Sequence, residues 1–494
     1  MRVWHVRKGA EAKIRRGYPW LFSNELAHSP KETEPGEPVE LRDHTDTPIA
    51  FGYGHPHSLI AFRALAAGTA PDRGLTEDFL ARRLLRAREL RRALGLDGAS
   101  HRLCFAEADG LPGLIVDRYR IAPSAGGSGA ERPTSTGAER PTSTGAERPD
   151  DPGAERPAGP GGTPSGAERP GNTGAERPEN TAAPEQVLAV QVSTAGMDRA
   201  LPLVLSALER LVADDAAAGG PAWERTGVLL DQGSSLRPLE DLPVLPKVWQ
   251  RLPDGPWDGS APTSILVAPG LAREPLSFAV DFLGGQKTGF FLDHRLNLGL
   301  ASELLAAWLG KRPLGSVRIL DLFCYVGQWG AVLAREAGRH GAAAEVLAVD
   351  ASERALELAR RNVSAQAGGP AVRVQTQRAD ILENLEDVPG GYDIVVCDPP
   401  ALAKRRKDLP KAVRAYGKLN REALKRVRPG GLIVTCSCSG LLSEEDFRDA
   451  LQRAQVQAGR SVHWVVRGSQ GLDHPIRAEF PEGRYLKCWM GIVE

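Results

Sequence analysis

Residues 434–440 read VTCSCSG, which sets two thiols, Cys436 and Cys438, two positions apart. A metal site or redox pair asks for C-x-x-C, and no cysteines in the chain have that spacing. Alternate residues of a strand share a face, so both thiols point the same way. Cys438 stands at the exit, where Ser439 and Gly440 begin a turn. A thiolate at such a lip could attack a substrate lying beside it. Read alone, Cys438 is either that nucleophile or a small buried residue.

Other apolar runs also end in residues able to do chemistry. ILDLFCYVGQWG carries Asp321, ends near Cys324, and turns through Gly327 and Gly330 into a helix. Glycine allows close backbone approach, and a helix N-terminus favours an anionic group. One G-x-x-G is a weak signal, and the dinucleotide fingerprint G-x-G-x-x-G is absent. EVLAVD ends in Asp350, placed to accept both hydroxyls of a ribose, and the next run ends at Asp380. Each acid alone could be a solvated loop residue; at successive strand ends they read as a nucleoside pocket. DIVVCDPP then fixes Asp398, because each proline restrains its own φ and holds the residue before it extended. DPP is either a rigid turn or an edge that recognises a planar base, and Cys397 reads as a small core residue.

Two neighbouring stretches could serve this set. GGQKTGFFLDHR, Gly284–Arg295, mixes glycines, aromatics and charges, as a structural loop or the wall of a ligand site would. Lys404–Arg428 carries eleven Lys/Arg against two Asp/Glu. It is either a solvated helix face or a set of phosphate contacts.

These residues need a scaffold. From about residue 280 strand-like runs alternate with helix-like ones such as WGAVLAREAG and YGKLNREALKRV. This predicts α/β structure, a mostly parallel Rossmann-like sheet with ligands beyond the strand carboxyl ends. Residues 1–72 read as a small β-rich module and 73–275 as an α+β middle domain; 276–494 form the α/β domain. In LTEDFLARRLLRARELRRALGL, Leu75, Phe79, Leu84, Leu85, Leu90 and Leu94 follow helical spacing. The six arginines between Arg82 and Arg92 are a solvated face or an RNA-facing stripe. TAGMDRALPLVLSALERLVA is a second helix. GAERP occurs six times between about 122 and 184, with almost no large apolar side chains, so a disordered insertion is expected. The flanking runs GLIVDRYRI and EQVLAVQVS read as strands of one sheet whose connection has lengthened.

The chain of 494 residues has 41% hydrophobic and 25% charged residues and zero net charge, as soluble proteins do. No apolar run reaches the length of a membrane helix, and the first residues lack the apolar core of a signal peptide. Six irregularly spaced cysteines fit a reducing cytoplasm better than a disulfide framework.

Together the motifs resemble a known family, the RlmI-like bacterial large-subunit ribosomal RNA methyltransferases, which use S-adenosylmethionine to make 5-methylcytosine. RKGAEAKIRRGYPWLFSNEL is similar to the opening of that family's PUA module, an RNA-binding barrel, and LPGLIVDRY to its middle domain. GGQKTGFFLDHR, LDLFCYVG, DPP, SCSG and DHPIRAEFPEGRYLK resemble its methyltransferase signatures. The resemblance covers nearly everything outside the GAERP tract. His294 stands where the family commonly has Gln, and Gln328 where it has Gly.

The resemblance implies Cys438 as nucleophile and Asp398 beside the target base. Thr288, Arg295, Asp321, Tyr325, Gly327, Asp350, Ala351, Asp380 and Asp398 are expected around S-adenosylmethionine. No metal or membrane is expected; large-subunit ribosomal RNA is the expected partner, and a homodimer is left open. Two alternatives remain. A nitrogen-methylating RNA enzyme would use DPP without a cysteine, often with an aromatic after the prolines, where Ala401 stands. A binding protein would hold RNA and cofactor without catalysis.

Overall fold

In the computed structural model the described residues are all except 31, 69, 71–73, 124–182, 272, 367–370, 384 and 404. The GAERP tract, expected to be a disordered insertion, lies outside them.

The first module is a five-stranded sheet in the order Arg2–His5, Glu37–Arg42, Pro48–Gly54, Ile60–Ala67, Trp20–Phe22. Its alternating residues Val39, Leu41 and Phe62 bury against Trp4, Val6 and Leu21. A second five-stranded sheet follows, with helices Glu77–Ala93 and Leu201–Ala217 packed on it. The runs flanking the insertion are neighbours there: Leu114–Arg120 pairs antiparallel with Gln186–Val192, in register from Leu114↔Val192 to Arg120↔Gln186.

Of the six arginines on the first of these helices, Arg82 and Arg86 are exposed, but Arg88 and Arg91 depart from both expectations. Arg91 is 0% exposed, with its guanidinium on both carboxylate oxygens of Asp109 at 2.7 and 2.8 Å. Arg88 is buried against Asp215 at 2.7 Å. Burial of a charge requires a partner, and these arginines find theirs inside the protein. Leu90, expected on the apolar face, is 41% exposed.

The C-terminal domain holds a seven-stranded sheet. Its strands are β1 (Ser316–Leu322), β2 (Ala343–Asp350), β3 (Val372–Arg378), β4 (Tyr392–Cys397), β5 (Val427–Ser437), β6 (Val462–Gly468) and β7 (Lys487–Val493). The order is β3-β2-β1-β4-β5-β7-β6, parallel except for β7, which is antiparallel to both neighbours. Helices α1 (Arg295–Leu309), α2 (Gln328–Arg339), α3 (Glu353–Ser364), α4 (Leu409–Arg426) and α5 (Glu444–Ala458) cover its two faces. All of β4 is buried, as a near-continuous apolar run in a doubly covered sheet must be. Ser443 and Asp446 form the capping box that starts α5. A hairpin, Thr263–Val267 with Leu276–Val280, contributes to an apolar cluster shared by the middle sheet and the C-terminal domain.

Candidate active site

The carboxyl ends of β1, β2, β4 and β5 open into a cleft of about 290 Å³, where strand order changes direction between β1 and β4. Tyr325, Asp350, Ala351, Asp380, Asp398 and Cys438 all line it.

The turn after β1 is held by its neighbours. Asp350 accepts the Tyr325 N–H at 3.0 Å and the Ser352 N–H at 2.9 Å. The Tyr325 hydroxyl accepts the Gln286 N–H at 2.9 Å and donates to the Gly289 carbonyl at 3.0 Å. One ring therefore fastens the 284–294 loop to the β1–α2 turn. Phe323, Tyr325 and Lys287 have left-handed φ of 62°, 47° and 46°, and all three border the cleft. Such backbone costs about 1–3 kcal/mol per residue and persists only where its surroundings dictate it.

Asp321 and Gly327 support the cleft from behind. Asp321 is fully buried and accepts the Gly330 N–H at 3.0 Å. Burial pushes its pKa up to about 7, against that hydrogen bond and with the charges of Asp398 and Asp350 adding. Gly327 has φ 76°, and a Cβ there would lie 2.9 Å from the Ala359 Cα. Its smallness serves the packing of the turn on α3.

Asp398 is gripped from two elements. Trp329, at the start of α2, donates its indole N–H to Oδ2 at 2.9 Å, and His294 Nε2 lies 3.2 Å from the same oxygen. Burial alone would lower the His294 pKa; the Asp398 carboxylate outweighs it and raises it. Cys436 stands behind this pair: donor atoms of His294, Asp398 and Cys436 all lie within 4.8 Å of one another. Cys436 itself is fully buried in the apolar cluster with Cys488 and Met490.

Cys438 follows on the same face. Its Sγ lies 3.9 Å from the Pro399 carbonyl. Burial pushes the thiol up to about 11, Lys287 opposing and Asp398 and Asp293 reinforcing. The turn beyond is tightly bonded. The Ser439 hydroxyl accepts the Leu402 N–H at 3.0 Å and pairs with the Tyr416 hydroxyl at 3.0 Å. Buried Lys487 donates to the carbonyls of Ser439, Leu442 and Tyr485 at 2.6, 2.8 and 2.9 Å. Burial brings its ammonium down to about 8.

Two expected cofactor residues lie elsewhere. The Thr288 hydroxyl donates to Asp117 at 2.6 Å and pairs with the Tyr119 hydroxyl at 2.9 Å, so it ties the loop to the middle sheet. Arg295 donates to the Ala268 carbonyl at 3.1 Å and approaches Asp473 at 3.7 Å. Neither borders the cleft: Thr288 meets the buried charge of Asp117 in the middle sheet, and Arg295 faces buried Asp473 within the C-terminal domain. Trp329, Phe323 and Lys287 line the cleft without having been expected individually, and so does Gln328, noted beforehand only as a departure from the family pattern. The only advance signal for Trp329 was an aromatic one residue into a helix that starts at a strand end.

Comparison with known proteins agrees with this architecture. The PUA-like domain family matches residues 5–67 and the methyltransferase small domain family residues 286–467. Curated proteins named ribosomal RNA large subunit methyltransferase I are similar along the whole chain. That of Cronobacter sakazakii is 27% identical over 98% of this chain and 97% of its own. That of Escherichia coli O9:H4 has the same figures. A solved protein described as an S-adenosylmethionine-dependent methyltransferase from Streptococcus mutans covers 100% of both chains with TM-score 0.63 at 15% identity. Another methyltransferase structure, complexed with S-adenosylhomocysteine, gives TM-score 0.65 at 14% identity and the same coverage.

The cleft's residues suit S-adenosylmethionine. Two buried acceptors beside it, Asp321 Oδ1 and Gln328 Oε1, have no donor among the described residues. An ammonium-bearing ligand supplies donors of that kind. Asp350 suits ribose hydroxyls, and Phe323, Ile381 and Leu382 offer apolar walls for a flat ring.

Proposed function

We propose that the chain, which resembles ribosomal RNA large subunit methyltransferase I proteins over 98% of its length, is an S-adenosylmethionine-dependent methyltransferase that methylates C5 of a cytosine in large-subunit ribosomal RNA, with Cys438 as nucleophile. The observation that carries the proposal is that Cys438 and Asp398 share one cleft with Asp350 and Asp380.

Asp350, Ala351 and Asp380 hold the nucleoside end of the cofactor, and Asp321 and Gln328 face its ammonium end; Tyr325 keeps the loop wall in place. When bound, S-adenosylmethionine supplies an electrophilic methyl group. Cytosine C5 is a poor nucleophile until a thiolate adds to C6. Cys438 Sγ forms that bond, and the C5–C6 π pair moves onto C5, which can then accept the methyl. Loss of the C5 proton to a base returns its electron pair to the ring and expels the thiolate. Asp398, steadied by Trp329 and His294, holds the N3/N4 edge of the base. The target base must leave any helical stack to reach the cleft. The PUA-like module at 5–67 supports an RNA substrate. Six free cysteines support a reducing cytoplasm as the setting.

One observation favours a second reading, methylation of a ring or exocyclic nitrogen beside Asp398-Pro-Pro. The Cys438 thiol, at about 11, is mostly protonated at neutral pH. Incubation with labelled S-adenosylmethionine and unmodified ribosomal RNA, followed by nucleoside mass analysis, should give 5-methylcytidine. Cys438→Ala should abolish it while cofactor binding persists. Undiminished methylation by that variant moves the assignment to nitrogen. No transfer by the wild type to ribosomal RNA leaves a protein that binds without catalysing.

A further inference from the structure

The basic run after DPP takes a definite shape. Helix α4 starts at the cleft end of the sheet, shortly after Asp398-Pro399-Pro400, and descends beside α5. Lys411, Arg414, Lys418 and Arg421 recur at i, i+3, i+7 and i+10, the spacing of one helix face. They span about 15 Å at 1.5 Å per residue. With Arg453 of α5 they line a groove of about 640 Å³ that has no carboxylate in its wall. The approach to it, Arg405, Arg406 and Lys407, is exposed. Glu422 occupies Arg421 and Arg426, and Asp393 occupies Arg428. Among the described residues no carboxylate is within ion-pairing distance of Arg405, Arg406, Lys407, Lys411, Arg414 or Arg453.

The groove is coupled to the cleft at two points. Lys418 donates to the carbonyls of Leu382 and Glu383 at 3.2 and 3.0 Å, and Leu382 lines the cleft. Tyr416, on the buried side of α4, bonds Ser439 beside Cys438. A solvated helix face needs neither the concavity nor unpaired cations that converge from two helices.

We propose that the α4–α5 groove is a phosphodiester track, which holds the RNA strand leaving the cleft by consecutive backbone phosphates. The assignment rests on the substrate being RNA, and it predicts sequence-independent affinity with a strong salt dependence. Bases carry no part of this contact; the cations fix where the strand runs and so which nucleotide reaches Cys438.

The test is equilibrium binding of an unmodified ribosomal RNA fragment across a sodium chloride series. The proteins compared are the wild type and the triple variant Lys411→Gln/Arg414→Gln/Arg453→Gln. These side chains are exposed and outside the catalytic cleft, so fold and S-adenosylmethionine affinity should be unchanged. Three lost phosphate contacts should flatten the log K against log salt slope by about 2 on a single strand and weaken binding by roughly tenfold or more at moderate salt. A control, Arg199→Gln/Arg210→Gln, removes exposed cations elsewhere, 53% and 58% accessible, and should leave the slope as it was. Equal slopes for the triple variant and wild type, equal losses in the control, or no RNA binding by the wild type would each overturn the track. Saturable binding of inorganic phosphate alone with an unchanged RNA slope would instead make the groove a small-anion pocket. The readout is binding, so loss of the track and failure of the cytosine chemistry are separately visible.

Discussion

The Trp329 indole N–H and the His294 imidazole meet on a single oxygen, Oδ2 of Asp398, at 2.9 and 3.2 Å. Asp398 is thereby aimed from α2 and from the loop before α1 at once. Replacing Trp329 by Phe removes a donor to a charged acceptor, an interaction of about 1.5–3 kcal/mol. Methyl transfer, measured as kcat/KM, should fall roughly 10- to 100-fold, with a smaller change in S-adenosylmethionine affinity by calorimetry.

His294 adds a pH signature. Its folded pKa is raised, so its stabilisation is complete below the ordinary value of about 6.5 and fades as pH climbs through the raised one. Thermal unfolding of wild type and His294→Gln should differ most near pH 6 and converge as pH rises toward 9. A difference that widens with pH would contradict the pairing.

Cys438 should be slow to alkylate at neutral pH because the thiolate is the reacting form. Its modification by iodoacetamide, followed by peptide mass analysis, should accelerate nearly tenfold per pH unit toward its value of about 11. Lys287 is the nearby cation that most opposes this elevation. Lys287→Gln should shift the profile upward and slow alkylation at pH 8 by a few-fold.

Lys487 closes three carbonyls around the turn beyond Cys438. Each buried acceptor left unmet costs about 1–3 kcal/mol. Lys487→Met should therefore destabilise the protein by at least about 2 kcal/mol in denaturant titrations. It should also make the 438–442 turn an early site of proteolytic cleavage.

Gly327→Ala places a methyl 2.9 Å from the Ala359 Cα on a left-handed backbone. The combined strain and overpacking should cost about 2–4 kcal/mol. S-adenosylmethionine affinity should weaken, because the turn and α3 must separate to admit the methyl.

Strands were legible where the physics was local. β1, β4 and β5 are apolar runs that end in Asp321, Asp398 and the cysteine pair, and their burial on two faces leaves that signature. The pairing of Leu114–Arg120 with Gln186–Val192 was readable because β-periodicity survives on both sides of an insertion. β6 and β7 were not expected. VHWVVRG alternates partly buried with exposed residues, and β7 enters the sheet antiparallel, against the alternating pattern that revealed the rest. The Trp329 grip on Asp398 joins residues 69 apart, a convergence no local pattern encodes. Thr288 was misplaced because a polar residue in a Gly-rich loop has no periodicity to reveal its face, and Arg295 because it opens α1, where the helical pattern has only begun. The left-handed Lys287 then turns Thr288 toward the middle sheet. Arg88 and Arg91 of Glu77–Ala93 misled for a related reason: their carboxylate partners, Asp215 and Asp109, lie on other elements.

β7 threads between β5 and β6, with Cys488 directly opposite Cys436 and Lys487 opposite Ser437. During synthesis these residues emerge after all other strands of the domain. Until they do, β5 has one unpaired edge, and Lys487 is missing from the turn that frames Cys438. A nascent chain can therefore complete the half of the cleft built on β1 and β2 early, while Cys438 gains its final surroundings only once this segment has been made. Strand order thus sets the order in which the two halves of the cleft are completed.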